Sequence, residues 1–208
     1  MDIPKWLLFA RELEAVAQIG LTFSHNQYDT ERYEQMRALS AKMMAEYSGA
    51  PPAAIEDLFK QEQGYLTPKV DVRGAVFRGA EVLLVPELID AGRWTLPGGW
   101  ADVNETPSEN VAREVREEAG LIVKATKLAA VWDRDKMGFT KPFPFHVYKL
   151  FFLCEIVGKT EKKEGETGEA RYFPIDALPE LSTDRVLPQQ LHRLYEHRLN
   201  SSLPTDYD

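Results

Sequence analysis

Apolar positions recur along this chain in two rhythms, and the change from one to the other falls near residue 66. Before it the spacing is helical. Trp6, Phe9, Ala10, Leu13, Val16 and Ala17 share one face of a segment over residues 4–20, with Arg11, Glu12 and Glu14 off that face. Pro4 suits a first turn and Gly20 suits a helix end. A second helix is predicted over 30–47, with Asp29 as N-cap and Tyr33, Met36, Leu39, Met43 and Tyr47 as its apolar face. After Gly49 and the Pro51-Pro52 break, Ile55, Leu58 and Phe59 predict a short third helix. The Met and Tyr stripe is expected to be core of this helical third.

From Leu66 the period drops to two. Val70, Val72, Gly74 and Val76 alternate with Lys69, Asp71, Arg73 and Ala75, which predicts a strand. Arg78-Gly79 reads as a turn and Glu81–Val85 as the return strand of a hairpin. Pro86–Arg93 reads as a loop. Trp94–Leu96 reads as a short strand stopped by Pro97-Gly98-Gly99. Thr106-Pro107-Ser108-Glu109 has the form of a capping box with proline at the first helical position, so a helix should run from about 107 to Ala119 and end on Gly120. Leu121–Trp132 and Phe145–Val157 are predicted strands, 158–168 a charged loop, and Ala170–Phe173 a short strand. A last helix is expected over 184–199, followed by a frayed tail. The division is thus 1–65 helical, 66–200 mixed α/β, and 201–208 tail. No internal repeat interrupts it.

Composition narrows the function classes. The 208 residues carry 25 Lys and Arg against 33 Asp and Glu, a net charge of −8, which opposes unspecific binding to nucleic acid. The first 65 residues hold six basic and ten acidic side chains, so the helical third is not a DNA-reading module. A packing or dimer-forming element is expected instead. The one cysteine, Cys154, lies in an apolar run, which points to a buried thiol and a reducing compartment. The N-terminal stretch lacks a signal-peptide core, and no apolar run approaches the roughly 20 residues that span a bilayer, so a cytoplasmic protein is expected.

The chemistry concentrates between Gly99 and Leu121. Glu114, Glu117 and Glu118 follow an i, i+3, i+4 spacing that puts three like charges on one helix face. Such an arrangement weakens a bare helix and becomes favourable around a hard divalent cation, Mg²⁺ or Mn²⁺. None of the four histidines has zinc-ligand spacing.

Gly99, Glu105, Arg113, Glu114, Val115, Glu117, Glu118, Gly120 and Leu121 fill every fixed position of G-x5-E-x7-R-E-U-x-E-E-x-G-U, with U aliphatic. This stretch resembles the Nudix box of the Nudix hydrolases. A chance match has odds on the order of 10⁻⁹ per register. The resemblance implies an α/β/α sandwich around a mixed sheet, here preceded by a small helical domain. It implies a pyrophosphohydrolase in which Glu114, Glu117, Glu118 and the backbone carbonyl of Gly98 bind metal. Gly99, Glu105, Arg113 and Gly120 would be structural, with Arg113 orienting the glutamates and Glu105 tied to it. The general base stays open in the family: either the first glutamate of the box, Glu114, or a glutamate from a later loop. Glu161, Glu164, Glu166 and Glu169 are the loop candidates, and Glu166, near two glycines, is preferred.

The opening KWLLFARELEAVAQIGLTFS and the segment YLTPKVDVRGAVF look like the N-terminal part of Nudix hydrolases acting on X-linked nucleoside diphosphates. That likeness implies a homodimer and a substrate of the CDP-choline or ADP-ribose type, cleaved to a nucleoside monophosphate and X-phosphate. Trp94, Trp100, Trp132, Phe139, Phe143, His146 and Tyr148 offer stacking surfaces for a base, of which Trp100 and Trp132 are preferred. Arg134 or Lys136 could meet a second phosphate. Two alternatives are a non-catalytic sensor of ADP-ribose and an RNA end-processing hydrolase; the intact box opposes the first and the acidic balance the second.

Overall fold

The computed structural model describes residues 4–162 and 167–208. The chain divides into two units, one of residues 1–68 with 140–146, the other of 69–139 with 147–208. The excursion at 140–146 is a departure from the division expected at residue 66. Its tie to the helical unit is Arg11, whose guanidinium donates to the carbonyls of Phe143 at 2.7 Å and Phe145 at 2.9 Å.

The helical unit comprises α1 (Lys5–Phe23), α2 (Gln27–Ser48) and α3 (Pro52–Lys60). α2 starts three residues earlier than its apolar pattern indicated. Asn26, not Asp29, is its N-cap: the Asn26 side chain accepts from the backbone N–H of Asp29. The buried faces also differ from the expected stripe. Leu7, Ala10, Glu14, Ala17 and Gln18 of α1 are buried with Ser40, Ala41, Met44 and Ala45 of α2. Phe9, Val16, Leu39 and Tyr47 are exposed. The helices meet through small residues, and the Ser40 hydroxyl donates to the Ala10 carbonyl at 2.7 Å. Of the large side chains, Leu7 and Met44 join them inside, while Phe9, Val16, Leu39 and Tyr47 stay outside.

In the second unit β1 (Lys69–Arg78) and β2 (Glu81–Glu87) form the expected hairpin around Gly79. Then come β3 (Arg93–Thr95), β4 (Gly98–Trp100), α4 (Pro107–Ala119), β5 (Leu121–Asp133), β6 (Val147–Lys159), β7 (Arg171–Pro174), α5 (Pro188–Leu199) and β8 (Asp206–Tyr207). The sheet runs β3-β2-β1-β6-β5-β8, with β4 also on β1 and β7 also on β2. It is mixed, because β1 pairs with β6 and β5 with β8 in parallel while the other pairs are antiparallel.

Alternation along β1 sorts its side chains to two layers. Val72 and Val76 join Val111 and Val115 of α4, and Ala75 joins Leu191 and Leu194 of α5. Gly74 lets α4 lie close, since a Cβ there would come within 2.5 Å of Val115. The result is the α/β/α sandwich. The terminal residues depart from the frayed tail expected: β8 joins the sheet, and the Asp208 carboxylate accepts from the Asp133 N–H at 3.0 Å.

Candidate active site

The site is built where β4 meets the C-terminal half of α4 and the middle of β1. β4 lies antiparallel on β1 with Arg73 opposite Gly98, Val72 opposite Gly99 and Asp71 opposite Trp100. Gly98 has φ +146°, and a Cβ on it would fall 2.0 Å from the Val72 carbonyl oxygen. Only glycine fits such a backbone against such a neighbour. The Pro97 carbonyl accepts from the Gly74 N–H at 2.9 Å, and the Gly98 N–H donates to Glu118 Oε2 at 2.8 Å.

α4 begins as its sequence dictates. The Thr106 hydroxyl accepts from the Glu109 N–H, and the Glu109 carboxylate accepts from the Thr106 N–H at 2.8 Å. Gly120 closes the helix in the left-handed conformation. Between these caps one face presents Glu114, Glu117 and Glu118. Glu114 lies against Gly99, where a Cβ would stand 3.3 Å from its Oε2.

Arg113 sits behind this face as a branched tie. Its guanidinium donates to Glu105 at 3.0 Å and to Glu114 Oε1 at 2.8 Å, pairs with Asp102 at 2.8 Å, and lies 3.8 Å from Glu117. Asn110, which the sequence reading passed over, is buried and connects the same loop: its amide donates to the carbonyls of Asp102, Glu105 and Thr106, and its oxygen accepts from Asp102 N–H and Arg113. The loop before the helix is thereby laced to the helix that carries the acids.

Burial raises the Glu114 carboxyl above its usual range despite Arg113 and Arg73, and Glu117 adds to the rise. Burial pushes Glu118 up to about 7, against the Gly98 N–H and Arg73, with Glu114 and Glu87 adding repulsion. Crowded, partly desolvated carboxylates beside a bare glycine turn form an oxygen-rich cradle whose repulsion a cation would relieve. The donors present, carboxylates with a backbone carbonyl at hand, suit Mg²⁺ or Mn²⁺.

The other expected site residues divide. Trp100 is 48% exposed at the end of β4. Trp132 is buried in the core, its ring 5.1 Å from that of Phe151. Arg134 is buried with its guanidinium over the Phe139 ring at 4.7 Å. Glu166 lies outside the described residues. Cys154 is buried and its thiol is pushed up to about 12 by burial, which makes it inert.

Residues 67–194 match the NUDIX domain, and residues 4–59 match the UDP-X-like, N-terminal oligomerisation domain of Nudix proteins. The chain belongs to the Nudix family.

Its similarity to one Nudix relative spans nearly the full length. A provisionally named ADP-ribose pyrophosphatase of Bacillus subtilis (strain 168), YjhB, is 44% identical over 204 residues, covering 98% of this chain and 97% of the relative. Among solved Nudix structures, a UDP-X diphosphatase is 27% identical with a TM-score of 0.62, all of both chains being covered. An ADP-ribose pyrophosphatase from Streptococcus suis is 37% identical with a TM-score of 0.61 and covers 68% of this chain and 100% of its own. This Nudix chain is accordingly a hydrolase of the pyrophosphatase type. No helix among the described residues is long and apolar enough to cross a membrane.

Proposed function

We propose that the substrate is of the ADP-ribose or CDP-choline type and that its phosphoanhydride is hydrolysed to a nucleoside monophosphate and X-phosphate. The observation that carries this is the convergence of Glu114 and Glu118 on the Gly98–Gly99 turn. The near full-length similarity to a relative named for ADP-ribose supports that substrate over CDP-choline.

Glu114, Glu117, Glu118 and the Gly98 carbonyl would hold Mg²⁺ or Mn²⁺. When bound, such an ion neutralises the diphosphate and lowers the pKa of a coordinated water. The protein's own part is orientation. Arg113 keeps Glu114 and Glu117 turned together, and Glu105 holds Arg113 from the loop side. Trp100, at the rim of the turn, offers a face on which the base stacks. The attacking water gives its proton to Glu114 or to a glutamate of the 161–169 loop, Glu166 first among them. The new bond joins water oxygen to phosphorus, and the bridging phosphoanhydride bond breaks with its electron pair passing to the departing phosphate.

We further propose a homodimer formed through the helical unit. Support comes from the matched oligomerisation domain and from Phe9, Val16, Phe23, Leu39 and Tyr47, which are exposed on it.

The test is turnover of ADP-ribose, CDP-choline, NADH and nucleotide sugars with Mg²⁺ and Mn²⁺, with products identified. Glu117→Gln and Glu118→Gln are each expected to lower kcat by about 100-fold or more with the fold intact. Near-normal turnover by both variants in saturating Mg²⁺ would remove the proposed site.

A further inference from the structure

On the α5 side of the sheet, directly under the glycine turn, three full charges are buried in one cluster. Asp71, Arg73 and Lys149 are each no more than 5% exposed. Arg73 donates from Nε to Asp71 at 3.0 Å and from Nη2 to Asp71 at 2.6 Å, and Lys149 Nζ donates to the same carboxylate at 2.5 Å. The third arm of the Arg73 fork points elsewhere: Nη1 donates to the carbonyl of Leu96 at 3.1 Å. Leu96 stands two residues before Gly98. The backbone of Arg73 is also paired with Gly98, and its charge favours the ionised forms of Glu114 and Glu118.

We infer that Arg73 is a positioning residue for the metal-binding turn, holding the Leu96 carbonyl so that Gly98 is presented to Glu118, and that Asp71 and Lys149 fix the direction of its guanidinium. This rests on the reading of Glu114, Glu117, Glu118 and Gly98 as metal ligands.

Stability does not account for the cluster. Taking three charges out of water costs several kcal/mol per ion, and well-packed apolar residues in such places are commonly as stable or more so. What a buried guanidinium supplies, and a leucine does not, is a planar fork with donors in fixed directions. Here two donors are anchored on Asp71, which sets where the remaining one points. The turn it meets is held at three successive residues: at the Leu96 carbonyl by Arg73, at the Pro97 carbonyl by Gly74, and at the Gly98 N–H by Glu118. Of these ties, only the first comes from a side chain on β1. Lys149 completes the arrangement from β6, where it is the register partner of Asp71. It donates to Oδ1 of Asp71, which it shares with Arg73 Nε while Arg73 Nη2 holds Oδ2, and it adds a second positive charge that keeps Asp71 ionised.

The experiment compares Arg73→Lys, Arg73→Met and Lys149→Met with the wild type. Folding is checked by circular dichroism and thermal melts, and Mn²⁺ binding is titrated by electron paramagnetic resonance with no nucleotide present. Mg²⁺-dependent kinetics follow. Arg73→Lys keeps the charge but cannot reach Asp71 and the Leu96 carbonyl with a planar fork. It is expected to weaken Mn²⁺ binding about tenfold and to lower kcat with KM little changed. Lys149→Met is expected to move both in the same direction by about threefold. If Arg73→Met does not fold, Arg73→Lys and Lys149→Met decide the matter. Wild-type Mn²⁺ affinity in the folded variants overturns the inference. A wild-type protein that binds Mn²⁺ yet hydrolyses no nucleoside diphosphate would count against the function proposed above, while the Mn²⁺ comparison between variants would still decide the role of Arg73.

Discussion

At Gly98 a single hydrogen atom stands where any other residue would place a carbon against the Val72 carbonyl. Gly98→Ala would therefore have to break the β1–β4 pairing or shift the turn, in addition to adopting a φ of +146° that alanine avoids. The expected outcome is a loss of about 2–4 kcal/mol in denaturant unfolding and a fall in kcat of at least about 100-fold. Gly99→Ala makes an instructive comparison: its Cβ would stand 3.3 Å from the Glu114 carboxylate, where a side chain can yield, so its cost should be smaller in stability than in turnover. The shared face of the box glutamates was readable from their spacing, and the part of the glycine pair was implied by the resemblance to the Nudix box. Neither route reached Asp71 and Arg73. Strict alternation assigned them to the polar side of a strand, yet β1 is a central strand covered on both faces, and its second face holds them as a paired charge. Only the alternation of opposite charges, Asp then Arg two residues on, hinted that they compensate each other. Their partners lie far along the chain, Leu96 more than 20 residues on and Lys149 78 residues from Asp71, and a local pattern carries no trace of that.

At the scale of elements, α4 is legible because its two ends are written in short-range chemistry. The capping box and Gly120 set its limits without help from the rest of the fold. Thr106→Ala removes the cap of one N–H and frees the loop end of the helix. It is expected to cost about 1 kcal/mol, seen as a lower melting temperature, while activity at a permissive temperature changes less than twofold. α2 was less legible for a matching reason. Its N-cap, Asn26, precedes a polar first turn, so the apolar rhythm begins only after the helix has already started. The faces of α1 and α2 misled in another way. Periodicity counts large apolar residues, whereas close helix packing selects Ala10, Ala17, Ala41 and Ala45 for the contact. β4 was read as the stop of a strand because a Pro-Gly-Gly run has no strand propensity. It pairs with β1 through backbone geometry, to which propensity is blind.

Across the whole molecule, the helical unit shows more large apolar surface than a lone three-helix element needs. Phe9 is 56% exposed and Tyr47 61%. Within the proposed dimer that surface is interface, and Phe9→Glu places a charge there. The expected outcome is a shift of the mass measured by light scattering from that of two chains to that of one, with the circular dichroism spectrum retained. An unshifted mass would move the interface elsewhere.

The tie between Arg11 and the carbonyls of Phe143 and Phe145 has a further consequence. The helical unit is discontinuous along the chain: seven residues from the far side of β5 belong to it. Severing the backbone after Pro68 does not free it whole, because residues 140–146 remain covalently part of the other fragment. A fragment of 1–68 lacks the carbonyls that Arg11 grips, and a fragment of 69–208 carries an excursion deprived of its clasp. The boundary between the two units cannot be drawn with one cut, and a domain exchange between relatives would have to transplant both pieces together.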